Sequence, residues 1–323
     1  MNKFLFITID TEEDQWGSIG NRRPSVEAIN NLKRLQRLFN AYNAVPTYLI
    51  NYPVANTATS IRILEELLKT GKCEIGTHCH PWNTPPFKEE QTNVNSFLCN
   101  LPEDLVHEKM DVLHRTIKSN FGKESVTFRA GRWGIGENVL NVLAKLNYEI
   151  DSSITPFFSW TDYSGPTFNC STNKAFYLSN GFFKESTSGK ESKILELPPT
   201  MGFLQSNYIL CNIIRGILLK KIFRPFKIIG LLDHLGIIRY RWLSPETTNI
   251  DDMTSLAKTS FKNGNKFINM FFHSNTLIAG QTPYVTNNID LENFYNKIEN
   301  FLQYSVENNI QSIGLSKGTM LTV

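Results

Sequence analysis

Short apolar stretches alternate with segments of helical periodicity along most of this 323-residue chain. Residues 4–9 are apolar apart from Thr8 and run into the acidic cluster Asp10-Thr11-Glu12-Glu13-Asp14. A nearly continuous apolar run of this kind predicts a strand covered on both faces, as in a parallel sheet. Residues 24–39 then place apolar side chains at helical spacing, with Lys33, Arg34 and Arg37 on the other side. A β-strand followed by a helix is therefore the predicted first unit.

The same unit recurs along the chain. Further strands are predicted at residues 45–51, 73–78, 126–129, 148–152, 194–197, 267–272 and 311–315. Further helices are predicted at residues 61–68, 105–117, 137–146 and 291–306. Seven or eight strands that alternate with helices indicate a parallel α/β fold. Because the reactive side chains described below imply one rim, we favour a closed or nearly closed (β/α) barrel over an open sheet. We expect residues 1–323 to form one domain.

Two histidines lie at the end of the predicted strand 73–78, in Thr77-His78-Cys79-His80-Pro81. Successive strand side chains alternate between faces, so His78 and His80 are predicted to point the same way. Proline cannot donate to a sheet ladder, so the strand is expected to stop near this point. Two neighbouring imidazoles at a strand end favour a site for a divalent metal ion. On spacing alone, two surface histidines in a loop explain the pattern equally well.

Other reactive residues also fall where predicted strands end. They are Asp10 and Glu12, Arg129 and Arg132, Asp151, and His273. In a parallel barrel these ends form the active-site rim. A carboxylate and two histidines with an open position would make a hydrolytic metal site. A second carboxylate would take a proton from water, a separate histidine would protonate the leaving group, and Arg129 could pair with the base carboxylate.

Composition narrows the class of protein. The apolar content of 41%, charged content of 20% and net charge of +3 are typical of a globular enzyme and do not indicate nucleic-acid binding. The cysteines are odd in number and contain no C-x-x-C pair, which favours reduced thiols. The first residues include an apolar run too short for a signal peptide or a membrane span. We therefore predict a cytoplasmic protein.

Residues 208–241 do not follow the alternation. This stretch is apolar and basic, with Asp233 as its one carboxylate. We interpret residues 205–245 as a helical insertion, broken by Pro225 and Gly230. Its apolar side chains either pack on the barrel, which is the commoner cause of such a pattern, or contact an anionic membrane or a lipid-linked substrate.

Five ordered motifs resemble those of the polysaccharide deacetylase superfamily, also called NodB-homology or carbohydrate esterase 4-like proteins. The motifs are Phe6-Ile-Thr-Ile-Asp10, Glu74-Ile-Gly-Thr-His78, Phe128-Arg129-Ala-Gly-Arg-Trp-Gly, Asp151-Ser-Ser, and Met270-Phe-Phe-His273-Ser. The resemblance covers nearly the whole chain. The run His78-Cys-His80-Pro-Trp-Asn-Thr-Pro-Pro is most similar to the subgroup linked to surface-polysaccharide biosynthesis.

The resemblance implies a deformed (β/α) barrel with one divalent metal ion, often zinc, held by a carboxylate and two histidines. It implies Asp10 as general base supported by Arg129, and His273 as general acid tuned by Asp151. The family's adjacent Asp-Asp pair is here Asp10-Thr-Glu12, so the resemblance leaves either carboxylate as the metal ligand, with Glu12 favoured.

The second family histidine is also displaced. Trp82 stands where the family carries it, which leaves His80 as the substitute ligand beside His78. The predicted substrate-binding residues are Trp82, Arg132 and Trp133, on loops of the rim, where the indole rings would stack on sugars.

The favoured function is removal of acetyl groups from an N-acetylated sugar of a surface polysaccharide or its lipid-linked precursor. The alternatives are a metal-independent amidase acting on C–N bonds and a catalytically inactive barrel that binds glycan.

Overall fold

The computed structural model describes residues 2–14, 16–17, 19–20, 24–169, 172–178 and 194–321. The strands of this part of the chain are β1 Lys3–Thr11, β2 Pro46–Ile50, β3 Glu74–Cys79, β4 Thr127–Ala130, β5 Ile150–Asp151, β6 Phe176–Tyr177, β7 Leu195–Glu196, β8 Met201–Phe203, β9 Tyr240–Trp242, β10 Phe267–His273 and β11 Ile310–Ser312. The helices are α1 Leu32–Ala41, α2 Tyr52–Ala55, α3 Ala58–Leu68, α4 Glu103–Phe121, α5 Glu137–Lys145, α6 Tyr208–Leu218, α7 Ile228–His234, α8 Ile250–Lys262 and α9 Asn288–Glu307.

One curved, mostly parallel sheet organises the fold. Its strand order is β10-β1-β2-β3-β4-β5-β7-β6, and β11 also pairs with β1. Every pairing in this sheet is parallel except that between β6 and β7. Helices connect most successive strands. This arrangement confirms the predicted deformed (β/α) barrel of seven or eight mostly parallel strands with a helical insertion.

Backbone hydrogen bonds outside the main sheet bridge the gap between β7 and β10. The Thr200 amide donates to the Asn269 carbonyl at 3.0 Å, and the Leu243 amide donates to the Thr200 carbonyl at 2.8 Å. The Phe271 amide in turn donates to the Leu243 carbonyl at 3.1 Å. These residues flank the antiparallel pair β8–β9, which carries the insertion. The barrel wall therefore continues through Thr200 and Leu243, at the two ends of the insertion.

The elements follow from local sequence. In β1, residues 5–11 are all buried, as expected for a strand covered on both sides. Helix α4 ends at Gly122, which has a φ of +67°, a left-handed conformation that glycine adopts without strain. Helix α9 begins after Asn287, whose side-chain oxygen accepts hydrogen bonds from the Ile289 and Asp290 amides. Helix α8 and the β8–β9 hairpin were not expected from the sequence.

The strand register sets the candidate residues side by side. Asp10 pairs with His273 between β1 and β10, and His78 pairs with Arg129 between β3 and β4. Strand β3 ends at Cys79, so His80 follows it directly and precedes Pro81. Parallel strands present their carboxyl ends at one edge, and these residues consequently meet at one rim.

Two sequence-based expectations concern features away from this rim. Cys73, Cys79, Cys99 and Cys211 are free thiols, whereas Cys170 lies outside the described residues. Within the described ranges, no helix combines the length and the apolar character that crossing a bilayer requires.

A test of the sheet packing uses Gly76 in the middle of β3. A Cβ atom there would meet the Leu49 Cδ2 and Thr127 Oγ1 atoms of the neighbouring strands. We expect Gly76→Ala to lower the free energy of unfolding by about 1–3 kcal/mol, because an extra methyl in a packed core forces its neighbours to move. Urea denaturation measures this change. Gly216→Ala in α6 is the control: its Cβ meets nothing within 4 Å, so stability should be equal or slightly higher. Equal loss in both variants would contradict the packing argument.

Candidate active site and metal centre

Glu12, His78 and His80 converge at the rim. The Glu12 Oε2 atom lies 3.5 Å from the His78 Nε2 atom and 3.3 Å from the His80 Nε2 atom. One potential ligand atom from each residue lies within 4.8 Å of the other two, and all three side chains are buried. Within the described ranges, this is the one such cluster of metal-ligating side chains. Two imidazole nitrogens and a carboxylate oxygen are ligands that suit zinc.

The outer nitrogens of both rings fit metal ligation. The His78 Nδ1 atom lies 3.0 Å from the Arg129 carbonyl oxygen, and the His80 Nδ1 atom lies 3.5 Å from the Glu13 Oε1 atom. Carbonyl and carboxylate partners of this kind hold the proton on Nδ1 and leave Nε2 free to ligate. Gly131 makes room for the second ring, because a Cβ there would meet His80 Cδ2 and lie 2.9 Å from its Nε2. The residues present therefore fit a bound divalent ion.

Glu13 is the buried partner of His80. Burial would raise the pKa of Glu13, but the charge of His80 and its hydrogen bond lower that pKa to about 2. The pKa of His80 is raised in turn: burial lowers this pKa, but Glu13 and the charges of Glu12 and Asp10 together outweigh burial. Glu13 also accepts hydrogen bonds from Trp82 Nε1 at 3.1 Å and from Asn51 Nδ2. The indole of Trp82 stacks on His80 with ring centroids 4.1 Å apart. His80 is thus held between a carboxylate and an aromatic face.

A buried lysine of α4 holds the loop that carries His80 and Trp82. The buried Lys109 Nζ atom, from α4, donates to the carbonyls of Pro81 at 3.0 Å, Thr84 at 2.8 Å and Pro86 at 2.7 Å. It also lies 2.9 Å from Glu89 Oε1. A charged donor to three carbonyls of one loop leaves that loop little freedom. The sequence analysis did not single out Lys109, since it occurs within an ordinary helical pattern.

Asp10 lies beside the cluster and is bound to Arg129. The Arg129 Nη1 atom donates to Asp10 Oδ1 at 2.7 Å, and both side chains are buried. Arg129 also donates to the Ser152 carbonyl at 2.8 Å and to Thr8 Oγ1 at 2.7 Å. Burial would raise the pKa of Asp10, but the charges of Arg129, His78 and His273 lower it. The structure therefore groups Glu12 with the two histidines and Asp10 with the arginine.

His273 faces Asp10 and is held by Glu246. The His273 Nε2 atom lies 3.8 Å from Asp10 Oδ2, while its Nδ1 atom lies 3.0 Å from Glu246 Oε2. Burial lowers the pKa of His273, but the charge and hydrogen bond of Glu246, with the charges of Glu12 and Asp10, raise it to about 10. Thr276 Oγ1 donates to Glu246 Oε1 at 2.6 Å and so orients that carboxylate. An imidazolium with one nitrogen held and the other facing the site is suited to proton donation.

Asp151 does not occupy the place expected of it. It was predicted to tune His273, but the carboxylate that contacts His273 belongs to Glu246. Asp151 instead accepts a hydrogen bond from Ser153 Oγ at 2.5 Å and adjoins the buried Glu196. Burial raises the pKa of both carboxyls, and the neighbouring charge of Asp151 raises that of Glu196 further. Asp151 therefore lies beside a second buried carboxyl group and not beside His273.

Glu246 was missed because it lies outside every predicted strand. It follows the end of β9 by four residues, in Trp242-Leu-Ser-Pro-Glu246, where the sequence analysis placed the border of the insertion. Only the contact across 27 residues reveals its partner. An acidic residue that follows a proline just after an aromatic strand was the available signal.

The predicted substrate-binding side chains differ in access. Trp82 and Trp133 are each 7% exposed, and Trp133 packs edge-on against Phe271 at 5.5 Å. Arg132 is half-buried on a surface loop and donates to Asn93 Oδ1 at 2.7 Å. Trp16, which the sequence analysis did not select, is 38% exposed and contacts His273 edge-on at 4.6 Å. Of these rings, Trp16 offers the most surface to a molecule at the rim.

Comparison with known proteins gives matches through structure. No protein-family model and no curated protein matches the chain. A proposed glycoside hydrolase/deacetylase from Parabacteroides distasonis aligns with a TM-score of 0.62 at 13% identity, covering 97% of this chain and 69% of that one. A proposed polysaccharide deacetylase from Mycobacterium smegmatis aligns with a TM-score of 0.52 at 11% identity, covering 98% and 89%.

A third similar structure is a 4-alpha-glucanotransferase from Thermococcus litoralis, with a TM-score of 0.55 at 11% identity. This chain spans 41% of that protein. At such identities, the comparisons establish the fold that the chain shares with polysaccharide deacetylases.

The metal site is tested by removing its ligands one at a time. We expect His78→Ala, His80→Ala and Glu12→Gln each to weaken zinc binding by more than about 100-fold, since loss of outer partners alone costs about 10- to 100-fold. Equilibrium dialysis with zinc, read by elemental analysis, measures the affinity.

Two control variants sharpen this test. His234→Ala, at an exposed histidine, should bind zinc as the unaltered protein does. Asp10→Asn should also keep the metal, because Asp10 is bound to Arg129. Retention of stoichiometric zinc by both histidine variants would place the ion elsewhere, and loss of zinc by Asp10→Asn alone would make Asp10 the ligand.

Proposed function

We propose that this chain is a metal-dependent hydrolase that removes acetyl groups from an N-acetylated sugar of a surface polysaccharide or of its lipid-linked precursor. One observation carries the proposal. The Asp10–Arg129 pair and the His273–Glu246 pair face each other beside the cluster of Glu12, His78 and His80. A base, an acid and a metal-ligand set at one rim are the parts that amide hydrolysis requires. The shared fold with polysaccharide deacetylases supports the acetylated sugar as substrate.

Glu12, His78 and His80 would hold the ion, and we favour zinc from the ligand types. When bound, the ion would polarise a water molecule and the acyl carbonyl group. Glu13 and the Arg129 carbonyl keep the two imidazoles in the tautomer that leaves Nε2 free.

Asp10 would act as the general base. Its Oδ1 atom is bound to Arg129, which leaves Oδ2 on the side of His273 to accept a proton from the attacking water. Arg129 keeps the carboxylate ionised and orients it, because the guanidinium is itself fixed by hydrogen bonds to the Ser152 carbonyl and Thr8 Oγ1. The reaction would begin as this proton leaves the water and the oxygen attacks the acetyl carbon.

His273 would act as the general acid. Its raised pKa keeps the ring protonated at neutral pH, and Glu246 holds the Nδ1 side so that Nε2 faces the reacting group. An amine leaves a tetrahedral intermediate readily only when its nitrogen is protonated as the C–N bond breaks. Donation from Nε2 would complete the cleavage and release acetate and the free amino sugar.

The sugar itself would be recognised at the surface of the rim. Trp16 lies against His273 with part of its ring exposed, and an indole beside the acid would stack on the sugar that carries the acetamide. The substrate roles of Trp82, Arg132 and Trp133 stay predictions, as does the cytoplasmic location. Acetate release distinguishes the proposed function from an inactive glycan-binding barrel, and loss of that activity with a chelator distinguishes it from a metal-independent amidase.

The acid role predicts the behaviour of His273→Ala. We expect this variant to fold, to keep its metal and to lose acetate release from N-acetylated oligosaccharides by a factor on the order of 10² to 10⁴. The loss on an O-acetylated sugar should be smaller, because an alcohol leaves more readily than an amine. Enzymatic assay of released acetate measures both. Metal loss in this variant would make His273 a ligand, and full activity would exclude the acid role; His114→Ala, at a half-buried histidine of α4, is the control.

The role of Glu246 predicts a shift in pH dependence. His273 stays protonated as pH rises until its pKa near 10, so the alkaline limb of kcat should lie in that region. Glu246→Gln removes the charge that raises this pKa, and the limb should move to lower pH. A pH profile of acetate release measures the shift. Glu292→Gln, which removes an exposed carboxylate paired with Arg34, should leave the limb in place. An unchanged limb in Glu246→Gln would contradict the assignment.

A further inference from the structure

Helix α6 turns its apolar residues outwards. The residues that attach it to the barrel are Tyr208 and Cys211, both buried, and Arg215, whose Nη1 atom donates to the Phe157 carbonyl at 2.8 Å. On the other side of the helix, Ile209 is 77% exposed, and Ile213 and Ile217 follow at helical spacing with 55% and 45%. A helix on the surface of a globular protein normally shows the reverse pattern. Packing on the barrel therefore does not account for these isoleucines.

The exposed apolar surface continues beyond α6. Ile222 and Phe226, in the connection to α7, are each 71% exposed, and Leu231 in α7 is 57% exposed. Helices α6 and α7 contact each other, so these residues belong to one structural unit. Most of the exposed large apolar side chains in the described part of the chain lie in residues 209–237. We call Ile209, Ile213, Ile217, Ile222, Phe226 and Leu231 the α6–α7 surface. Exposed large apolar side chains concentrated in one segment indicate an interaction site.

The charges beside this surface are positive. Lys220, Lys221 and Lys227 are exposed in the same connection. Asp233 is the one carboxylate in residues 208–241, and its Oδ1 atom lies 2.5 Å from Arg241 Nη1. The lysines thus border the α6–α7 surface, and residues 208–241 offer them no free carboxylate as a partner. Lysines beside exposed apolar side chains match the headgroup and acyl layers of an anionic bilayer.

We propose that the α6–α7 surface binds the face of an anionic lipid bilayer, with its apolar side chains in the interfacial layer and Lys220, Lys221 and Lys227 on the headgroups. A second copy of the chain is the weaker candidate for this surface. A two-fold dimer through this surface would bring the lysines of both copies into one interface that has no free carboxylate from the segment, and like charges repel. The bilayer satisfies the apolar and the basic residues together. The proposal does not depend on the catalytic assignment, since it concerns binding only.

The contact is of the monotopic kind, in which short helices lie in the plane of the interface. The unit is joined to the barrel through the β8–β9 pair, and β9 is followed four residues later by Glu246, the partner of His273. An enzyme held at the bilayer in this way is suited to substrates that are themselves anchored there. Membrane binding would favour the lipid-linked precursor over the finished polysaccharide as the substrate. This choice of substrate rests on the proposed function.

The test is sedimentation of the full chain with vesicles of two compositions. We expect binding to phosphatidylcholine vesicles that contain phosphatidylglycerol and far weaker binding to pure phosphatidylcholine. Binding should fall steeply as salt rises, because exposed charges are screened within about 10 Å at 0.1 M ionic strength. Lys220→Glu/Lys221→Glu should weaken binding by on the order of 20-fold or more, at roughly 5-fold for each lysine removed. Ile222→Asp/Phe226→Asp should weaken it by on the order of 100-fold.

Matched controls separate this surface from general effects. Lys69→Glu/Lys72→Glu alters two exposed lysines near the start of β3, and Ile289→Asp alters an isoleucine that is 75% exposed in α9. Both should bind vesicles as the unaltered protein does. Acetate release from a soluble oligosaccharide should be equal in all these variants, so failure of the catalytic proposal would leave the binding result unaffected.

Two outcomes would overturn the inference. One is vesicle binding that is absent, or equal in the surface variants and the controls. The other is a concentration-dependent dimer in analytical ultracentrifugation that is lost in Ile222→Asp/Phe226→Asp, without vesicle binding, which would identify the surface as a contact between copies.

Discussion

The buried charge pair of Arg129 and Asp10 joins the parts of this barrel. Arg129 has no exposed surface, and its hydrogen bonds reach β1 at Thr8 and Asp10 and the segment after β5 at Ser152. A buried pair gains little net stability, but removing one partner costs about 3–5 kcal/mol because the other charge stays buried alone. The carbonyl of Arg129 also holds His78. One residue therefore connects the barrel interior, the proposed general base Asp10 and the proposed metal ligand His78.

The carboxylates of the acidic cluster at the end of β1 make different contacts. Asp10 pairs with Arg129, Glu12 approaches both histidines, and Glu13 holds the outer nitrogen of His80. Asp14 accepts hydrogen bonds from the backbone amides of Glu27 and Ala28 and so fixes the turn that leads to α1. These contacts differ because the chain leaves the strand after Thr11, so that consecutive carboxylates point in different directions. Four acids in five residues thus lie in four environments, and only Glu12 and Glu13 share a partner, on opposite nitrogens of His80.

The sequence predicted the barrel and most of its rim because both depend on short-range patterns. Apolar runs located β1 and β10, and the two-residue period of β3 placed His78 and His80 together. Glu246 escaped because its role depends on a contact with His273 across a stretch without regular periodicity. The sequence left the direction of the apolar face of α6 open for a related reason: periodicity separates two faces of a helix but does not show which face packs on the protein. The role of Asp151 as the partner of His273 was inferred from the family resemblance. In the structure Asp151 adjoins Glu196, and Glu246 contacts His273.

The antiparallel pair β8–β9 separates the inserted segment from the barrel wall. Phe203 and Tyr240 face each other across its outer end, and antiparallel strands can be joined there by a turn of two residues. Thr200 and Leu243, whose backbones complete the barrel wall, both lie inside that junction. A short turn that joined Phe203 to Tyr240 would therefore leave the backbone hydrogen bonds of Thr200 and Leu243 in place. Changes in the length of residues 204–239 would then not interrupt β1, β3, β4 or β10, the strands that carry or adjoin the candidate active-site residues.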